Sequence, residues 1–158
     1  MKYISFAWTT AAVQARCKDV TRREWDDDYA VRFQKGEVVG ALDKTFRAGG
    51  KQFGTIRLLE KPYKESESQM PDRDYAGEGF EFLDKLPRFK PTMWKNTILR
   101  FKFENDRDYG EVFWVVRFEI LDITRPLNFD ESEQETIRQI QNYLREHPYT
   151  PEATCINA

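Results

Sequence analysis

The chain is short of the residues from which several kinds of site are built. It carries one histidine, His147, and two cysteines, Cys17 and Cys155. Protein zinc is held by several thiolates and imidazoles together, so one imidazole makes a zinc site hard to assemble. The two cysteines show no framework spacing, which points to a reducing compartment rather than a disulfide-stapled secreted domain. No stretch approaches the ~18 apolar residues of a spanning helix. "MKYISFAWTTAAVQARC" also lacks the basic region and long apolar run of a signal peptide. The expectation is a cytoplasmic protein with no membrane partner. Charge of one sign is missing too, with 25 Lys and Arg against 27 Asp and Glu and a net charge of −2. Duplex binding rests on many phosphate contacts, so duplex DNA or RNA is not the expected partner. A small anionic or polar ligand, or a few nucleotides of single strand, stays open. There is no "GxGxxG", no Walker loop and no internal repeat.

What is present fits one domain. The 158 residues, 15% of them aromatic, are enough for a real core. "YISFAW" alternates and predicts a first strand with Ile4, Phe6 and Trp8 on one face. Thr9 or Thr10 can cap a helix through "AAVQARCK". "DVTRREW" reads as a strand or extended segment, and "DDDYAVRF" as a helical turn with Asp26–Asp28 at its positive end. "EVVGALD" and "QFGTIRLLEKPY" read as strands joined by the turn "RAGGK". "KESESQMPDRD" is polar and loop-like, and "FEFLDKL" is a short helix. Residues 91–108 fit a helix or a strand. "EVFWVVRFEILDI" is the clearest strand. Asp130 or Ser132 caps a helix with Ile137, Ile140 and Leu144 as its apolar stripe. His147, before Pro148, reads as a surface or capping residue. A Cys17–His147 nucleophile pair finds no support in the spacing. Short strands with small helices between them predict an α+β fold, a compact β-barrel with helical plugs.

"RCKDVTRREW", residues 16–25, concentrates Arg16, Lys18, Arg22 and Arg23 around Thr21. If "VTRRE" is extended, Thr21 and Arg23 point to one side and Val20, Arg22 and Glu24 to the other. A threonine hydroxyl needs an adjacent base to become a nucleophile. A lysine serves as that base only when its pKa falls, and burial with nearby like charge lowers it. The same residues equally describe an anion clamp without chemistry, or a solvated basic face.

The chain resembles the ASCH-domain family, a branch of the PUA-like β-barrels. The resemblance is carried by "SFAWTTAAVQARCKDVTRREW", "FQKGEVVGALDK", "RAGGKQFGTIRL", "DYAGEGF" and "FWVVRFEIL", and spans roughly residues 2–123. Its most specific element is "K-x-x-T-x-R", here Lys18, Thr21 and Arg23, supported by "AGEGF". It implies a barrel domain over residues 1–125 and a helical extension over 126–158 packed on the same domain. Two departures stand out. "ARCKDV" replaces the glycine usual before the lysine, and residues 88–110 form an insertion.

Such families include small amidohydrolases that deacylate N4-acetylcytidine. The resemblance therefore implies removal of the acyl group from N4-acylated cytosine or cytidine. Lys18 would be the base, Thr21 the nucleophile and Glu78 an acid/base or orienting group. An alternative assignment has Lys18 charged and stabilising the oxyanion, with Glu78 as base. Arg23 would support the oxyanion or the ligand's carbonyl, while Trp8, Phe6 or Trp25 would stack on the pyrimidine. Gly77 and Gly79 would let the backbone approach the ligand. No metal or organic cofactor is implied. Two other classes remain. One is a non-enzymatic binder of a modified nucleotide or short single-stranded RNA, with Arg22, Arg47 and Lys51 on phosphates. The other is a ribonuclease.

Overall fold

A twelve-residue strand is the spine on which the other strands assemble. In the computed structural model, which describes residues 1–92 and 111–151, this strand is β6 (Val112–Ile123). Its β-branched and aromatic run suits a buried pleated surface. The chain begins with β1 (Tyr3–Ser5), α1 (Thr10–Gln14), β2 (Val20–Arg23) and α2 (Asp27–Ala30). It continues through β3 (Val38–Leu42), β4 (Gln52–Leu58), β5 (Tyr63–Ser66), α3 (Asp74–Gly77) and α4 (Phe80–Lys85), and after β6 ends with α5 (Glu131–Glu146).

The sheet runs β1-β3-β4-β6-β2, with β5 also on β6. β4 pairs with the C-terminal half of β6, Gly54 opposite Ile123 and Leu58 opposite Phe118. The N-terminal half of β6 lies between β5 and β2, so Val115 faces both Tyr63 and Arg22. Among the described residues, only β1 and β3 run parallel. The result is the α+β architecture anticipated from the sequence: a curled half-barrel sheet, short helices and a C-terminal helix.

Two apolar clusters form the interior. The first fills the curl of the sheet with Ile4, Phe6, Phe33, Phe53, Ile56 and Phe118. The second lies under the helices and joins Ala12, Phe80, Phe82 and Leu83 to Ile137 and Ile140 of α5. That helix starts at a reciprocal capping box: the Glu133 N–H donates to Asp130 Oδ1 at 2.8 Å, and the Asp130 N–H to Glu133 Oε1 at 3.0 Å. His147 is its C-cap. Asp26 is the N-cap of α2, with Asp27 and Asp28 in the helix's first turn.

Three local expectations change. β1 stops at Ser5, because Ala7 takes a positive φ of 47° and the chain turns into a 3-10 helix over Ala7–Thr9. Trp8 therefore does not continue a strand face; it stacks on Phe80 at 5.9 Å and 9°. α1 ends at Gln14, four residues before Lys18. "KESESQMPDRD" is not a loop throughout: Tyr63–Ser66 is a strand and Glu67–Gln69 a 3-10 helix with its own capping box. The expectation for residues 91–108 falls mainly outside the described residues.

Candidate functional site

The end of α1 aims the cationic stretch into the molecule. Arg16 adopts φ +58°, and the Cys17 N–H reaches back to the Ala12 carbonyl at 2.8 Å. The Arg16 N–H meets the Val13 carbonyl at 2.9 Å. This is a Schellman termination with arginine where glycine is usual. It stops the helix and sends Cys17 and Lys18 inward, both nearly or fully buried. The Asp19 N–H then donates to the Gly77 carbonyl at 2.8 Å, tying the segment to α3. Thr21 follows on β2, opposite Val116.

Glu78 arrives from the other side as the C-cap of α3. Its neighbours serve the packing of the chain rather than the approach of a ligand. Gly79 sits at φ +90°, where a side chain is strained, and a Cβ there would lie 2.8 Å from Ala12 Cβ. A Cβ on Gly77 would meet Arg73 Nη1 at 2.5 Å and Asp19 Oδ1 at 2.6 Å.

Lys18, Thr21 and Glu78 meet in one cavity of about 180 Å³, which Arg22 and Arg23 also line. Phe6, Trp8, Phe80 and Phe113 contribute its aromatic wall. Phe6 belongs to the sheet cluster and Phe80 to the helix cluster, so the site lies at the seam between the two cores.

The Lys18 side chain is 1% exposed. Its Nζ donates to the Glu78 backbone carbonyl at 2.6 Å and lies 3.4 Å from Glu78 Oε1. Burial pulls its ammonium down from 10.5 to about 8; the Glu78 carboxylate opposes this and the Arg23 charge adds to it. The other carboxylate oxygen of Glu78 accepts from Arg22 Nη1 at 2.9 Å. Among the described residues, the Thr21 hydroxyl makes no hydrogen bond to protein, although Thr21 is 4% exposed. Its oxygen is therefore uncommitted beside a committed lysine.

Behind Arg22 runs a web of buried charge that the sequence did not disclose. Arg22 Nη2 donates to Glu65 Oε1 and to Asp74 Oδ2, both at 2.7 Å. Burial alone would lower the Arg22 guanidinium, but Glu78, Asp74 and Glu65 together hold it above the usual arginine value. Asp74 is fully buried and also accepts from Arg73 and from both Nη atoms of Arg117. Burial would raise its carboxyl, yet these guanidinium groups hold it down at about 2. Arg73 clasps Asp19 through two hydrogen bonds, of 2.8 and 2.6 Å. It also donates to the His147 carbonyl at 2.9 Å.

Of the residues singled out from sequence, Lys18, Thr21, Glu78, Arg22, Arg23, Phe6 and Trp8 line the cavity. Trp25 does not: it stacks on Phe33 at 4.8 Å and packs against the sheet core. Arg47 sits in an exposed 3-10 turn between β3 and β4, also away from the cavity. Arg22 is not free for phosphate, because three carboxylates hold it. Sequence reasoning missed Phe80 and Phe113 as walls, and Glu65, Asp74, Arg73 and Arg117 as supports. Among the described residues, no group of three or more His, Cys, Asp or Glu side chains is placed to hold a metal ion. None of their helices is long and apolar enough to cross a membrane.

No protein-family model and no curated protein matches the chain. Among solved structures, a protein of Enterococcus faecalis V583 with the family designation DUF984 is similar, with a TM-score of 0.46 and 14% identity over 80% of each chain. That likeness is too distant to bear on chemistry.

Proposed function

We propose that the protein is an amidohydrolase that removes the acyl group from N4-acylated cytosine or cytidine. The observation that carries this reading is a buried lysine whose proton affinity is lowered to about 8, sharing a cavity with an uncommitted threonine hydroxyl. The motif resemblance to ASCH-domain amidohydrolases supplies the substrate class.

In the proposed reaction, neutral Lys18 takes the Thr21 proton as Thr21 Oγ1 attacks the acyl carbon. Donating one N–H to the Glu78 carbonyl leaves a neutral amine its lone pair, so the hydrogen bond and the base role are compatible. The tetrahedral intermediate collapses, the C–N bond breaks, and the lysine proton passes to the exocyclic nitrogen of the departing cytosine. Water then attacks the threonine ester. Lys18 takes a proton from that water and returns it to Thr21 Oγ1 as the carboxylic acid leaves.

Glu78 is the orienting group: one carboxylate oxygen faces Lys18 while Arg22 fixes the other. The Arg22 contact supports the base role of Lys18. A lone carboxylate beside Lys18 would keep the ammonium charged, but this carboxylate shares its charge with Arg22. Phe6, Trp8, Phe80 and Phe113 offer apolar and stacking surface to the pyrimidine. Arg23 binds the substrate.

The test is incubation of the purified protein with N4-acetylcytidine and chromatography for cytidine. Thr21→Ala and Lys18→Ala are run alongside after a check that they fold. Cytidine formed by wild type and lost in both variants is the expected result. A folded wild-type protein that releases none, across acetyl and bulkier acyl groups, rejects the reading.

A further inference from the structure

Three cations line the cavity, and two are already matched. Lys18 is held by Glu78. Arg22 is held by Glu65, Asp74 and Glu78. Arg23 differs. Among the described residues its guanidinium makes no ion pair and no hydrogen bond, and its Nε is buried without a partner. Its guanidinium carbon lies 5.5 Å from the Phe6 ring centroid. A cation over a phenyl ring recovers only a small part of what burial takes from a guanidinium. Burial accordingly pulls the Arg23 guanidinium below its ordinary value, against the weaker pull of Glu78. Native proteins rarely leave such groups unmatched without a reason, and a ligand is one.

We propose that the ligand of this cavity carries an anionic oxygen group, which pairs with Arg23. This rests on the amidohydrolase reading for the cytosine part of the ligand, but not for the anion. The planar guanidinium suits a carboxylate or phosphate. The cavity, at about 180 Å³, is smaller than the ~300 Å³ from which sites for drug-sized ligands begin. It admits a base and its acyl group more readily than a whole nucleotide. The anion then belongs on the acyl chain, as in the half-amide of a dicarboxylic acid, with a nucleoside phosphate as the other source of the same chemistry.

The experiment is calorimetric titration of wild type and Arg23→Gln at low salt. The probes are N4-succinylcytosine, its neutral methyl ester, N4-acetylcytosine, cytidine and cytidine 5′-monophosphate. Wild type is expected to bind the succinyl carboxylate about tenfold or more tighter than the ester, as a charge-assisted hydrogen bond allows. In Arg23→Gln that preference collapses, and in Arg23→Lys, which keeps the charge, it partly returns. A preference for cytidine 5′-monophosphate over cytidine with no succinyl effect would place the anion on the nucleoside side. Equal binding of carboxylate, phosphate and neutral partners overturns the proposal, as does an anion preference that survives Arg23→Gln. Should Arg23→Gln fail to fold, the wild-type and Arg23→Lys comparisons still decide. Binding and turnover separate the two claims: a carboxylate preference without cytosine release would sink the hydrolase and leave the anion site standing.

Discussion

Replacing Asp74 by asparagine probes the charge web beneath the site. Asp74 is fully buried and receives hydrogen bonds from Arg22, Arg73 and Arg117 at 2.7–3.0 Å. Asparagine keeps the size and one acceptor oxygen but removes the negative charge. The folded carboxyl titrates near 2 against 3.8 for an unperturbed aspartate, a difference of about 2 kcal/mol in favour of the folded, ionised form. Judged instead as a broken buried ion pair that leaves three guanidinium groups short of a counter-charge, the same loss is about 3–5 kcal/mol. The expected loss at pH 7 is about 2–5 kcal/mol.

The pH dependence fixes the cause. A depressed carboxyl stabilises above its unfolded pKa, and the contribution fades as pH falls towards the folded one. The gap between wild type and Asp74→Asn should thus be flat above about pH 5 and shrink by about 2 kcal/mol on approaching pH 2. Urea unfolding followed by tryptophan fluorescence, repeated across that range, measures it. Other carboxylates weaken both proteins at low pH, and the difference between the two removes most of that effect. A variant within about 0.5 kcal/mol of wild type at pH 7, or a gap that ignores pH, would refute the reasoning.

Further outcomes follow from the same geometry. Lys18→Met should abolish turnover and remove one pH dependence of stability, because a lysine lowered to about 8 is costly to bury charged. The sign follows from the lowered pKa: wild-type stability rises as pH passes from about 8 towards 10.5, and Lys18→Met should lose that rise in urea titrations. Arg16→Gly should gain up to about 1 kcal/mol by relieving the positive φ, less the exposed hydrogen bond to the Ile120 carbonyl; thermal unfolding reads it. Cys17, fully buried and pushed up to about 12, should resist thiol reagents until the protein unfolds, as peptide mapping by mass spectrometry will show.

The sequence and the structure agree best where the signal is local. Strand alternation, the apolar stripe of the last helix and the Asp130 cap were all readable. So was the grouping of Lys18 and Thr21, which lie three residues apart around one strand. Glu78 was reached only through the motif resemblance, since nothing between residues 21 and 78 says that α3 returns to β2. The supporting charges were hidden for a different reason. Glu65 and Asp74 make their stretch look solvated, because composition cannot tell a buried carboxylate with an arginine partner from an exposed one. Arg22 met the same ambiguity: strand alternation put it opposite Thr21, but did not reveal three carboxylates waiting there. Trp25, one of the aromatics expected to stack on the pyrimidine, is held elsewhere by Phe33.

The most direct test of the central claim is the rate of cytidine release from N4-acetylcytidine as a function of pH, for wild type and Thr21→Ala. With Lys18 as base, the wild-type rate should climb as pH passes about 8 and level off above it, while Thr21→Ala releases nothing above background. A rate that falls through the same range would assign the charged lysine to the oxyanion instead. No cytidine at any pH from the folded protein, or release undiminished in Thr21→Ala, would contradict the account.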